Sequence, residues 1–277
     1  MRNSWRFRLK LFGHAGVMVE GRPVNLGSNK AMAILAYLAL RKTPVLRSTL
    51  AALLWPESDW YRARRSLREE LSLLRRLVPA ETLVVQDQSV ALDHTASVDV
   101  WNFTQAIAEG AYERATMLYA GELLEGVYVR NAGGFETWLE GERDHLRNQY
   151  VEALLVLCEK SVQAGDLGAA LAYNQQIIAA NPYLEGPYLR SMQWASQIGE
   201  TAVALDVYHQ LQSVMKREFG IPPSPAAVSL AKAIAAQGIW PLAATAHENA
   251  SAVPAGAQRH LGPDAGERGP RAAGRKP

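Results

Sequence analysis

The chain has 277 residues, 48% of them hydrophobic and 20% charged, enough apolar content to bury a core in one large domain or two ordinary ones. It contains no apolar span of about 20 residues, and residues 1–6 lack the apolar run of a signal peptide, so a membrane-spanning helix is excluded and a cytoplasmic protein is expected. A single cysteine, Cys158, excludes an internal disulfide framework and a cysteine-based metal site.

The formal net charge of +2 conceals a division along the chain. Residues 1–98 hold 15 Lys and Arg against 8 Asp and Glu, a balance of +7, whereas residues 99–240 hold 9 against 16, a balance of −7. A basic front joined to an acidic back implies that one part meets a polyanion and the other does not.

In the first 27 residues, Phe7, Leu9 and Leu11 alternate with Arg8 and Lys10, and Val17 and Val19 flank Met18. Val24 and Leu26 follow a Glu20-Gly21-Arg22-Pro23 turn, so a small antiparallel sheet with one buried face is predicted. The period then changes. Residues 29–40 form a strongly apolar helix ending before Pro44, and a second helix starts near Ser48, read as its N-cap, and runs to Trp55-Pro56. A third begins at Ser58 or Asp59 and continues to about Val78. Beyond Pro79, the apolar triplets 83–85 and 90–92 flank a polar 86–89 segment, the pattern of a hairpin. Strands, three helices and a terminal hairpin describe a winged helix-turn-helix preceded by a small sheet.

From Asp99 onward the pattern is helical almost throughout. Gly165 and Gly199, Ala170 and Ala204, and Leu171 and Leu205 match at a spacing of 34 residues, and Pro182 falls where one repeat hands over to the next. That period, with a small residue at the helix crossing, points to a tetratricopeptide-like (TPR-like) helical repeat. Gly110 and Ala115 repeat the spacing once more, with an insertion at roughly 121–135. Gly220 and the prolines that follow it end one helix, and a last short helix spans about 225–236. Beyond Trp240 the chain is dominated by Ala, Gly, Pro and Arg, which predicts disorder and reads as a chain end or a linker. The expected fold is therefore mainly α: an α+β winged helix over 1–97, an all-α repeat module over 98–240 and a disordered tail over 241–277.

The third helix carries the chemistry. At about 100° per residue, Ala63, Leu67, Leu71, Leu74 and Val78 lie on one stripe that must face the core. Opposite them lie Arg62, Arg65, Glu69, Ser72 and Arg76, with Ser66 and Leu73 on one shoulder, Arg68 on the other, and Arg64 and Arg75 beside the buried stripe. Arginine suits bidentate contact with guanine and with phosphate, and a helix fits the major groove of double-stranded DNA. Ser48 adds a hydroxyl at a helix N-terminus for phosphate. The expected DNA-binding set is Ser48, Arg62, Arg65, Ser66, Arg68, Glu69, Ser72 and Arg76. Glu69 sits mid-face, where it either accepts from cytosine N4 or orients a neighbouring arginine, and Glu70 reads as a surface charge.

Catalytic readings fare poorly. The six histidines show no metal-ligand spacing, Cys158 lies in the apolar run 154–158 and reads as a packed core thiol, and Glu140, Glu142 and Asp144 read as a solvated face. Trp138, Tyr150, Tyr173, Tyr183, Tyr188, Trp194 and Tyr208 read as repeat packing, a minority of them lining a concave groove. Neither a cofactor, a metal nor an enzymatic activity is expected. The reading that competes with a DNA-binding regulator is a protein-interaction adaptor acting through the TPR-like half.

Residues 5 to about 238 resemble the AfsR/SARP regulators, which join an OmpR-type winged helix to a bacterial transcriptional activator domain. The resemblance rests on residues 21–27 (GRPVNLG), 50–56 (LAALLWP), 63–68 (ARRSLR) and 74–77 (LRRL), and in the second half on 99–103 (DVWNF) and 218–225 (EFGIPPSP). It implies an activator that binds direct repeats near promoters, often as a homodimer, and contacts RNA polymerase. The sequence departs from the family at Leu73, which stands in place of a frequent arginine and brings an apolar contact suited to a thymine methyl. Larger relatives append an ATPase region, but no G-x-x-x-x-G-K-[ST] loop occurs in this sequence, and control through a phospho-receiver within this chain is not expected.

Overall fold

The computed structural model describes residues 6–237, and the tail expected to be disordered lies outside the described residues. In β1 (Phe7–Lys10) the period-two alternation buries Phe7 and Leu9 and exposes Arg8 and Lys10. β2 (Gly16–Val19) and β3 (Arg22–Val24) follow as antiparallel neighbours. α1 (Asn29–Arg41) is capped by Ser28, whose hydroxyl accepts from the Ala31 N–H, and ends at Lys42 in the left-handed region. β4 (Val45–Leu46) leads directly into α2 (Arg47–Leu54). Asp59 then caps α3 (Trp60–Leu77), its carboxylate accepting from the Arg62 N–H at 2.9 Å. β5 (Leu83–Val85) and β6 (Ser89–Leu92) form the expected hairpin, and β7 (Ser97–Val98) follows.

Two of these strands lay beyond the reach of periodicity. β7 pairs in parallel with β1, Leu9 opposite Val98, and completes a sheet of order β3-β2-β1-β7. β4 adds to the hairpin, Val45 opposite Val90, in the order β4-β6-β5. Each is two residues long, too short for any alternation to register, and each exists because a tertiary neighbour supplies its ladder.

The second half is α4 (Asp99–Ala108), α5 (Tyr112–Leu118), a non-helical crossing over 119–132, the 31-residue α6 (Gly133–Gln163), then α7 (Leu167–Ala180), α8 (Glu185–Gln197), α9 (Thr201–Phe219) and α10 (Pro225–Gln237). The fold is mainly α, a winged helix followed by helical repeats, and the crossing falls where the insertion was expected. The repeat glycines are the joints. Gly110, Gly165 and Gly199 adopt φ of 70°, 77° and 83°, and after each the next residue's N–H reaches back five residues: Ala111 to Ala106, Asp166 to Ser161 and Glu200 to Ala195. Five residues past each glycine, Ala115, Ala170 and Ala204 are fully buried. Because a Cβ at Gly165 or Gly199 meets open space, substitution there costs backbone strain alone. Gly165→Ala and Gly199→Ala are each expected to lower unfolding stability by about 1–2 kcal/mol, read from urea midpoints at unchanged m-value. Gly16→Ala, at ordinary φ and also open, is expected to stay within about 0.5 kcal/mol.

The halves meet through a shared core. One apolar cluster runs without a break from Phe7 to Ile177, across the 97/98 position at which the sequence divides, and a second fills the repeats from Leu171 to Ile234. The 99–103 motif builds this junction. The Asp99 carboxylate accepts from the N–H groups of Leu11 (2.9 Å), Phe12 (3.0 Å) and Val100 (2.8 Å), and burial, the largest influence on it, holds its carboxyl above the ordinary range against the pull of those bonds. The Trp101 indole donates to the Ala39 carbonyl at the end of α1 (2.7 Å), and Phe103 packs edge-on against Phe12 at 5.3 Å. The crossing segment closes on the end of β1: Leu124 N–H donates to Leu11 O, Gly13 N–H donates to Glu122 O, and Arg143 of α6 donates to the carbonyls of Leu123 and Leu124.

Candidate nucleic-acid interface

α3 is held by its apolar stripe, with Ala63, Leu67, Leu71 and Leu74 buried against the helices before it, as the spacing predicts. Two polar ties fix its position. The Ser28 hydroxyl donates to Glu70 Oε1 at 2.8 Å, joining the start of α1 to the middle of α3. Lys30 donates to the Leu54 carbonyl at 2.7 Å while lying over the Trp55 ring at 4.4 Å, so it covers the end of α2. Burial, opposed by the nearby Glu70 carboxylate, lowers the Lys30 ammonium below its ordinary value. Glu70 is thus a half-buried structural link rather than the surface charge expected: Ser28, distant in sequence, packs beside it.

The opposite face of α3 is open. Arg62, Arg65, Arg68, Glu69, Ser72 and Arg76 are exposed, Ser66 and Leu73 are half-buried on the shoulder, and Ser48 is exposed in the first turn of α2. The N-cap of α2 is Leu46 rather than Ser48. The helix begins one residue earlier than the serine because β4 runs straight into it, and no side chain caps it. Two of the arginines are already paired. Arg62 Nε lies 3.1 Å from Asp59 Oδ2, and Arg65 Nε donates to Glu69 Oε1 at 3.0 Å, the i to i+4 geometry in which Glu69 orients a neighbouring arginine. Both pairs are well solvated and contribute a few tenths of a kcal/mol to the fold, about 0.3–0.5 each. Arg68 and Arg76 make no ion pair among the described residues.

Sequence reasoning passed over Arg47, and it placed Arg64 only beside the stripe. With Arg68 these two line a cleft of about 40 Å³ between the start of α2 and α3, floored by Leu67 and Leu71. The Arg47 Nε is buried there without a hydrogen-bond partner, and the Arg64 guanidinium lies 5.1 Å from the Trp60 ring centroid. No sequence signal marks this cluster, because Arg47 reaches it only once α2 crosses α3. Trp60 and Tyr61 are the other unforeseen feature: both are exposed, Tyr61 to 84%, at the start of the helix. At the tip of the β5–β6 hairpin the charged residue is Asp87, and the Gln88 carbonyl accepts from the Arg47 N–H at 2.8 Å, tying the tip to α2.

In the helical half, Tyr188 and Tyr150 are buried and Trp138, Tyr173, Trp194 and Tyr208 are half-buried. Tyr183 departs from the packing role expected of it: it is exposed on a surface patch edge-on to Phe219 at 5.7 Å. Cys158 is a buried thiol that burial pushes up to about 11. At pH 8 its alkylation by iodoacetamide is expected to run about a hundredfold slower than that of the urea-unfolded chain, because so little thiolate is present. Equal rates in the two states are the contrary result. Among the described residues no group of three or more His, Cys, Asp or Glu is placed to hold a metal ion, and no helix is long and apolar enough to cross a membrane.

A winged helix with an open, arginine-rich third helix, packed onto a helical repeat module, is the architecture of a transcription regulator. The bacterial transcriptional activator domain family matches residues 88–235, and the chain belongs to that family. It is 24% identical over 238 residues to the transcriptional regulatory protein MoaR1 of Mycobacterium tuberculosis, covering 79% of this chain and 76% of that protein. It is 25% identical over 243 residues to the transcriptional regulatory protein EmbR of the same organism, covering 79% of this chain and 61% of EmbR. The structure of M. tuberculosis EmbR in complex with a low affinity phosphopeptide has a similar fold, with a TM-score of 0.56 at 23% identity over 84% of this chain and 65% of that one.

Proposed function

We propose that this regulator binds double-stranded DNA sequence-specifically, with α3 in the major groove. The observation that carries the reading is the exposed arginine face of α3 beside the Arg47–Arg64–Arg68 cleft. Arg65, oriented by Glu69, Arg62 and Arg76 serve as base-reading residues, with Ser66 and Ser72 offering hydroxyls on the same face. Arg47, Arg64 and Arg68 form a phosphate clamp, joined by the exposed hydroxyl of Ser48 in the first turn of α2. The β5–β6 hairpin acts as the wing. Asp87 at its tip repels phosphate, so the amides of Gln86 and Gln88 make its contacts. Membership in the activator-domain family supports an activator that binds promoter direct repeats, contacts RNA polymerase and pairs as a homodimer. A cytoplasmic setting follows from that role.

The test is fluorescence anisotropy with fragments upstream of the protein's own gene and its neighbours, titrated with salt and competitor DNA. The expected result is tight binding to one fragment that survives competitor, with log affinity falling linearly against log salt. Binding no better than to random DNA on every fragment would favour the adaptor reading, for which the exposed apolar patch of Tyr183, Leu184, Phe219 and Ile221 supplies a docking surface.

A further inference from the structure

Two polar side chains in the repeat module are fully buried, Asn174 of α7 and Ser191 of α8. Burying an amide and a hydroxyl is costly unless both are bonded. Here they are: Asn174 Nδ2 donates to the Pro187 carbonyl (2.6 Å) and to Ser191 Oγ (2.8 Å), and its Oδ1 accepts from Arg190 Nε (3.4 Å). The repeat does not require this network to pack, since 34 residues later the position of Asn174 is taken by Tyr208. What the network produces is a half-buried guanidinium held in one orientation.

Arg190 has no ion-pair partner among the described residues, and it lines a cleft of about 260 Å³ between the end of α6 and α8. The apolar walls are Leu155, Cys158 and Val162 of α6 and Trp194, which lies four residues after Arg190 and so on the same face of α8. Glu159 and Gln163 stand exposed at the rim. A cleft of this size lies just below the ~300–1,000 Å³ typical of sites for drug-sized ligands and suits a single ring system. A cation whose two terminal nitrogens make no bond among the described residues, beside an indole and aliphatic walls, selects one molecule that is anionic at one end and flat and apolar at the other.

We propose that this cleft is a binding site for a small aromatic carboxylate, its carboxylate on Arg190 and its ring against Trp194, Leu155 and Val162. The site is separate from the DNA-binding face, and the proposal stands whether or not the chain binds DNA. The test titrates indole-3-acetate and phenylacetate into the full-length ¹⁵N-labelled chain and follows the indole N–H signals of its 7 tryptophans, that of Trp194 being identified by W194F. The expected result is saturable binding with a dissociation constant below about 1 mM and the largest shift at Trp194. R190Q is expected to weaken binding at least tenfold. V162W, which fills the cleft from its exposed edge without touching the Asn174 network, should do the same, so a folding defect in R190Q does not decide the matter. Tryptamine, of opposite charge, and uncharged 3-methylindole should bind at least tenfold more weakly than the acid. No saturation by either acid up to about 10 mM, unaltered affinity in R190Q and V162W, or equal binding of tryptamine would each overturn the proposal.

Discussion

Arg65→Ala is expected to weaken binding to the specific operator by about 5- to 150-fold, the equivalent of roughly 1–3 kcal/mol, while leaving affinity for random DNA much less changed. The reason lies in how the side chain is held. Glu69 engages its Nε at 3.0 Å, which leaves the two terminal nitrogens for a guanine edge and reduces the rotamer freedom lost on binding. Glu69→Gln tests the same geometry from the other side. It removes a negative charge from the face proposed to approach phosphates, so random-DNA affinity should rise, and it loosens Arg65, so discrimination should fall. Arg68→Ala offers the contrast. As a phosphate contact it should weaken all sequences alike and reduce the slope of log affinity against log salt by about one. Anisotropy titrations on operator and scrambled duplexes at several salt concentrations separate the cases. Equal losses on both duplexes for Arg65→Ala would remove it from the base-reading set.

Phe12→Ala is expected to cost about 3–5 kcal/mol of unfolding stability. Phe12 is fully buried at the junction, in contact with Phe103 at 5.3 Å and Tyr119 at 4.8 Å, so the substitution leaves a cavity walled by both halves of the chain. Relaxation is opposed there by the Asp99 bonds to Leu11 and Phe12 and by the crossing segment closed over β1. Because one apolar cluster spans the junction, the wild-type protein should unfold in a single transition, with tryptophan fluorescence and far-ultraviolet circular dichroism coincident in urea. Phe12→Ala should move both probes together. Two separated transitions in the wild type would show that the halves are energetically independent despite the shared core.

Much of the fold was legible because it rests on local rules. The alternation of Phe7 and Leu9, the stripe of Ala63, Leu67, Leu71 and Leu74, and the glycine-to-alanine spacing of the repeats each express a backbone period or a left-handed joint that nearby residues determine. The exposed face of α3 was legible for the same reason, since the residues opposite a buried stripe must face away from the core. The sequence left Glu69 either to accept from cytosine or to orient a neighbouring arginine, and the structure pairs it with Arg65.

What the sequence by itself determined, then, is most of the winged helix's elements, the repeat spacing, the helix that presents arginines and the family to which the chain belongs. Tertiary structure alone decided which groups those elements bring together. It made strands of residues 45–46 and 97–98, turned Glu70 inward to Ser28, gathered Arg47, Arg64 and Arg68 around one cleft, and set Arg190 on Asn174 beside Trp194. Each of these joins residues on different elements. A helical or strand period reports only which side of its own element a residue occupies, and the partner across the gap is fixed by packing the whole core.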